Sequence, residues 1–156
     1  MIGRREFGLA GISAAALVAW ESSGLAQTKA EHAEHHHDVD KCAVACGACQ
    51  RSCDSCSTHC ADLAASGKKE HLESLKSCQD CAAICATASQ IVSRGGPFAD
   101  LICTACAEAC ARCAKICELF PDDNHMKLCA AECRKCEAEC RAMLKRGAAA
   151  ETKKKP

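Results

Sequence analysis

Eighteen cysteines in a chain of 156 residues are spaced so regularly that they decide what the chain can fold into. They fall into four groups. The first is Cys42, Cys46, Cys49, Cys53, Cys56 and Cys60, and the second is Cys78, Cys81 and Cys85. Cys103, Cys106, Cys110, Cys113 and Cys117 form the third, and Cys129, Cys133, Cys136 and Cys140 the fourth. Every interval within a group is three or four residues. That rhythm marks the inward stripe of an amphipathic helix, with cysteine where leucine would ordinarily stand.

The punctuation between groups agrees. Gly67 suits a C-cap for the first helix, with Lys68 and Lys69 just beyond it. The second helix is expected from about Lys69 to Arg94, where Gly95-Gly96-Pro97 stops it. Pro97 is placed to open a third helix that runs to about Phe120. Pro121 breaks that helix, and Asp122 or Asp123 can N-cap a fourth that ends near Gly147. Short connections make neighbouring helices antiparallel. The fold expected is therefore all-α, an up-down-up-down four-helix bundle over residues 38–146 with a cysteine-lined core.

Outside the bundle the sequence changes character. Residues 1–26 carry Arg4 and Arg5, then Phe7 and a mildly apolar run, and end in small residues at Gly24-Leu25-Ala26. They read as a twin-arginine export signal, too short and too rich in Gly and Ala to span a bilayer. The expected location is periplasmic or otherwise extracytoplasmic. Residues 27–37, with His32, His35, His36 and His37, read as a flexible leader that fits either metal scavenging or a solvated polar linker. Residues 147–156 read as a disordered basic tail. Twenty basic and twenty acidic residues cancel, so the total charge offers nothing to nucleic acid.

Export points to an oxidising compartment, which makes disulfides the first alternative for so many thiols. Geometry argues against it within a helix. Residues three or four apart hold their Cβ atoms roughly 5–6 Å apart, whereas a disulfide needs about 3.5–4.5 Å. Bridges between helices remain open, but a staple needs one or two, not a ladder. A metal ion between two sulfurs fits the spacing better, because two bonds of about 2.3 Å span up to about 4.6 Å. Soft thiolates select Cu(I), zinc or iron–sulfur clusters. Structural zinc wants four tetrahedral ligands, and iron–sulfur ligands usually wrap a discrete cluster from loops. One monovalent ion per thiolate leaves a filled core neutral, where divalent ions would bury a large excess of charge. Cu(I) fits best.

With these groups in view the chain resembles the bacterial copper storage proteins. "CGACQRSCDSC" and "CTACAEACARCAKIC" carry the resemblance, which extends from about Asp38 to Arg146 through the repeated CxxxC and CxxC steps of all four helices. The resemblance implies a cysteine-lined four-helix bundle holding many Cu(I) ions, an exported branch with a twin-arginine signal, and a homotetramer. The eighteen cysteines exceed what the exported branch leads one to expect, so loading is read from this chain's own thiols, at roughly one Cu(I) per Cys.

Two ends of such a bundle can be told apart. Val39, Val92, Ala99, Ile102, Met143 and Leu144 continue the cysteine line at one end as an apolar plug. At the other, His71 lies seven residues before Cys78, while His125 and Met126 lie four and three before Cys129. His and Met hold Cu(I) less tightly than bridging thiolates, so His71, His125 and Met126 are candidate metal ligands at a mouth. His59 falls off the stripe and reads as surface. An enzyme is not expected, since no CxxC sits in a βαβ context and no open metal site has a base beside it. A periplasmic copper scavenger or chaperone for detoxification, or a disulfide-stapled structural bundle, are the alternatives to storage. The copper donor or recipient is not legible in the sequence.

Overall fold

The computed structural model describes the backbone over residues 25–154 and side chains over residues 41–149. The signal carrying Arg4, Arg5 and Phe7 lies almost wholly outside the described residues. Four long α-helices follow one another. They are α1 (Leu25–Ala65), α2 (Leu72–Ser93), α3 (Ala99–Cys117) and α4 (Asn124–Lys154), with one 3-10 turn at Lys69–His71 leading into α2. Helix α1 packs on α2 and α4, and α3 packs on the same two, so α1 faces α3 across the core. This is the expected bundle. Among the described residues no helix is long and apolar enough to cross a membrane.

The connections show why the helices stop where they do. At the end of α1, Gly67 adopts φ 101°. Its N–H donates to the Ala64 carbonyl at 3.1 Å, and the Lys68 N–H to that of Leu63 at 3.0 Å. At the end of α2, Gly95 adopts φ 59°, and the amides of Gly95 and Gly96 donate to Val92 and Ile91. Both are paired 5→2 and 6→1 closures, which need a left-handed residue that glycine supplies without a Cβ clash. Asp123 caps α4 through Oδ1, which accepts from the amides of His125 at 2.9 Å and Met126 at 3.2 Å.

Three boundaries differ from the sequence reading. Pro97 sits in the turn two residues ahead of α3 rather than inside it. Helix α1 begins at Leu25, so the His-rich stretch continues the helix without a break. Helix α4 runs through Gly147 to Lys154. In both extensions Ala, Glu and Lys are strong helix formers, and a single glycine costs only about 1 kcal/mol against them.

Candidate metal centre

All eighteen cysteines are buried, none more than 1 % exposed, and all are free thiols. The stripe of each helix turns to the axis, and the sulfurs meet there. Helix α1 reaches across to α3, with Cys42 3.7 Å from Cys103, Cys46 3.8 Å from Cys106 and Cys49 3.7 Å from Cys110. It reaches sideways to α4, with Cys46 3.6 Å from Cys140 and Cys53 3.6 Å from Cys133. Helix α2 meets α3 through Cys78 with Cys113 and Cys117, and through Cys85 with Cys106 and Cys110. Sulfurs four apart on one helix converge too, at 3.9 Å for Cys49–Cys53 and 4.0 Å for Cys81–Cys85.

These separations have a chemical reading. Three sulfurs placed about 2.3 Å from one ion in a plane lie about 4.0 Å from each other, and two on opposite sides about 4.6 Å apart. The free thiols are already within a few tenths of an ångström of such an arrangement. Sets of four sulfurs lie within 4.8 Å of one another, among them Cys49–Cys85–Cys110–Cys136 and Cys56–Cys78–Cys117–Cys129, each with one residue from every helix. The sets overlap. Cys49, Cys53, Cys129, Cys133 and Cys136 each belong to two of them. A sulfur shared by two sets can bridge two ions, so the sets form one connected ladder rather than a row of separate sites.

Protons in this core are shared between sulfurs. In each S–H···S contact one sulfur keeps the proton and the other accepts it. Contact with Cys113 raises Cys78 above the ordinary thiol value, while contact with Cys117 lowers Cys113. Cys60, at the end of the ladder, is pushed up to about 12 by burial first and then by the charge of Cys56.

The stripe of α2 is the most instructive. His71, Ser74, Cys78, Cys81, Cys85, Ala88 and Val92 follow the three–four rhythm and are all buried, so the wall grades from polar to thiol to apolar. His71 is only 5 % exposed and stacks on Phe120 at 4.1 Å. Its Nδ1 and the Oγ of Ser74 are buried with no hydrogen-bond partner among the described residues. Ser74 was not singled out from the sequence, although its place midway between His71 and Cys78 was the signal.

Met126 is fully buried, and its Sδ lies 3.4 Å from Cys56 and 3.5 Å from Cys60. His125 goes elsewhere. Its ring stacks on His59 at 4.5 Å with planes 8° apart, and Nε2 lies 3.3 Å from Ser55 Oγ. His59 is half-buried and not simply surface, with Nε2 2.7 Å from Asp123 Oδ2. Burial pushes the Asp123 carboxyl up, but His59 and the capped amides together hold it below its ordinary value. At the opposite end Val92 is buried, and Ala99, Ile102, Met143 and Leu144 pack against the core. The Met143 thioether sits 3.9 Å from Cys103, so sulfur reaches that end as well. The side chain of Val39 lies outside the described residues.

Comparison with known proteins points one way. The family model described as copper storage protein matches residues 21–145. Among solved structures, the Cu(I)-bound copper storage protein BsCsp3 is 32 % identical, with a TM-score of 0.62 over 66 % of this chain and 94 % of that one. No curated protein matches.

Proposed function

The chain belongs to the copper storage protein family, and from that premise we propose how its core is loaded, entered and deployed. The function is storage of many Cu(I) ions by core cysteine thiolates. One observation carries it: the four-sulfur sets share members, so a shared thiolate can serve two ions. All eighteen cysteines are ligands in this reading. Each Cu(I) displaces one thiol proton, so a neutral buried core takes roughly one ion per Cys. A disulfide-stapled scaffold is disfavoured by eighteen free thiols.

Ions enter at the end where α2 and α4 begin. Support comes from the buried, unpartnered Nδ1 of His71 and from the Met126 thioether between Cys56 and Cys60. A thioether or imidazole binds Cu(I) without forming a bridge, so an ion held there can pass inward to thiolates or outward to an acceptor. His125 takes part from the rim, since its partners lie on the flank of α1. The paired arginines of the signal support export by the twin-arginine pathway to a periplasmic or otherwise extracytoplasmic location, and the family resemblance supports assembly into a homotetramer of bundles. No catalytic step is assigned. A scavenger or chaperone for detoxification would share this chemistry and differ in capacity.

Titration of the reduced chain against a competing Cu(I) chelator tests the reading. Saturation near the number of thiols is the expected result. Saturation below about four ions would overturn storage in favour of a carrier or a structural site.

A further inference from the structure

The sulfur stripe of α4 is longer than its four cysteines. Met126, Cys129, Cys133, Cys136, Cys140 and Met143 stand at intervals of three, four, three, four and three. Those six positions match the six cysteines of α1, and the two stripes run level in opposite directions. Cys42 Sγ lies 3.7 Å from Cys140 Sγ at one end, and Cys60 Sγ lies 3.5 Å from Met126 Sδ at the other. Met143 stands one step further out than Cys140. Its Sδ lies 3.9 Å from Cys103 Sγ on α3, and Cys103 in turn lies 3.7 Å from Cys42. Met143 is half-buried and packs against the core, as Ile102 and Leu144 do. Those two neighbours plug the end without sulfur, yet the Met143 thioether faces the first thiol of α3.

We propose that Met143 is a Cu(I) ligand, completing with Cys42 and Cys103 a terminal metal site at the end where α4 leaves the bundle. The inference rests on the storage reading and extends its ligand set to the closed end. Three sulfurs around one ion in a plane lie about 4.0 Å from each other, close to the contacts that Cys103 makes here. Ahead of Cys103, α3 offers only Ala99 and Ile102 toward the core, which carry no donor. The outermost ion at this end therefore takes its further ligand from α4. A thioether is soft and polarisable, which suits Cu(I). It adds a donor without adding charge, so the neutral limit of roughly one ion per Cys stands. Met126 ends the ladder in the same way between Cys56 and Cys60. The two ends differ in their surroundings. His71 stands at the Met126 end, whereas Val92 is buried at the Met143 end, so the ion on Met143 is the last to arrive.

Selenium in place of the methionine sulfur reports the bond directly. In the selenomethionine-labelled Met126→Leu chain loaded with Cu(I), X-ray absorption at the selenium edge is expected to show copper at bonding distance. Adding Met143→Leu leaves selenium only at Met1 and should abolish that copper neighbour. In the otherwise native chain, Met143→Leu should weaken the hold on one Cu(I) at least about tenfold against a competing chelator. Its apo form should melt as the native apo form does, because leucine keeps the apolar volume; a methionine that only plugged the end would leave copper affinity unchanged too. A labelled Met126→Leu chain that holds copper near the number of thiols without a selenium–copper neighbour would overturn the site and leave storage standing. A copper neighbour that persists after Met143→Leu would overturn it as well. Loading below about four ions would overturn storage, and this site with it.

Discussion

Cys53 and Cys133 hold their sulfurs 3.6 Å apart and belong together to two neighbouring four-sulfur sets, one with Cys49 and Cys81 and the other with Cys113 and Cys129. In each of these two sets three of the four sulfurs also belong to another set. Removing a shared sulfur therefore unmakes two sites, and removing an end sulfur unmakes one.

Capacity follows from this. Cys53→Ala with Cys133→Ala should lower Cu(I) loading by more than the roughly two ions that two thiolates neutralise. Cys60→Ala, at the end of the ladder, should cost about one. Each substitution also leaves a small cavity, so thermal unfolding of the apo forms should show similar modest losses for the two positions. Copper counting on the purified variants checks the first claim, and circular dichroism melts the second. Equal copper losses per sulfur at centre and end would mean independent sites.

Much of this was legible because cysteine marked the buried stripe directly. All four helices, their order and every core thiol followed from the three–four intervals, and Gly67, Gly95 and Asp123 closed or opened helices by ordinary backbone chemistry. What escaped had no such marker. His125 and Met126 stand four and three residues before Cys129, and either position lies on the stripe. The apolar thioether took the dry place, and the imidazole stayed where Ser55 and His59 could meet it. Ser74 was passed over because serine in a helix ordinarily faces water. The helix ahead of Lys41 was missed because its polarity was read as looseness, although Ala, Glu, Gln and Lys there are good helix formers.

Exchange at the two ends should differ. His71→Ala with Met126→Leu keeps the volume of the buried methionine and removes both the thioether beside Cys56 and Cys60 and the unpartnered imidazole of His71. Copper uptake and removal by a coloured Cu(I) chelator should slow in stopped flow, with total capacity nearly unchanged. His125→Ala alone should slow them less. At the opposite end, Val92→Ala removes buried apolar volume and should cost about 2 kcal/mol of stability without changing exchange. Unchanged rates in the first variant with faster exchange in the last would move the entrance to the Val92 end.

Alkali should separate the apo and loaded proteins. Cys60 is raised from an ordinary value of 9.0 to about 12 in the folded chain, because burial first, and then the neighbouring Cys56, Cys129 and Asp123 charges, disfavour its thiolate. Between those values the unfolded chain has given up a proton that the folded chain still holds. Stability then falls as pH rises, since the unfolded state binds fewer protons. The contribution of Cys60 is fully present below pH 9 and is lost on the way to about 12. The reduced apo bundle should be helical at pH 7, where Cys60 keeps its proton and buried cysteine packs as a small hydrophobe. Its urea midpoint should decline steadily above pH 9. In the loaded protein Cu(I) already occupies the place of the proton, so its midpoint should stay level across the same window. Urea titrations of both forms at pH 7, 9 and 11 measure this. A random coil at pH 7 that becomes helical only with copper would show instead that the ion, and not the thiol core, holds the four helices together.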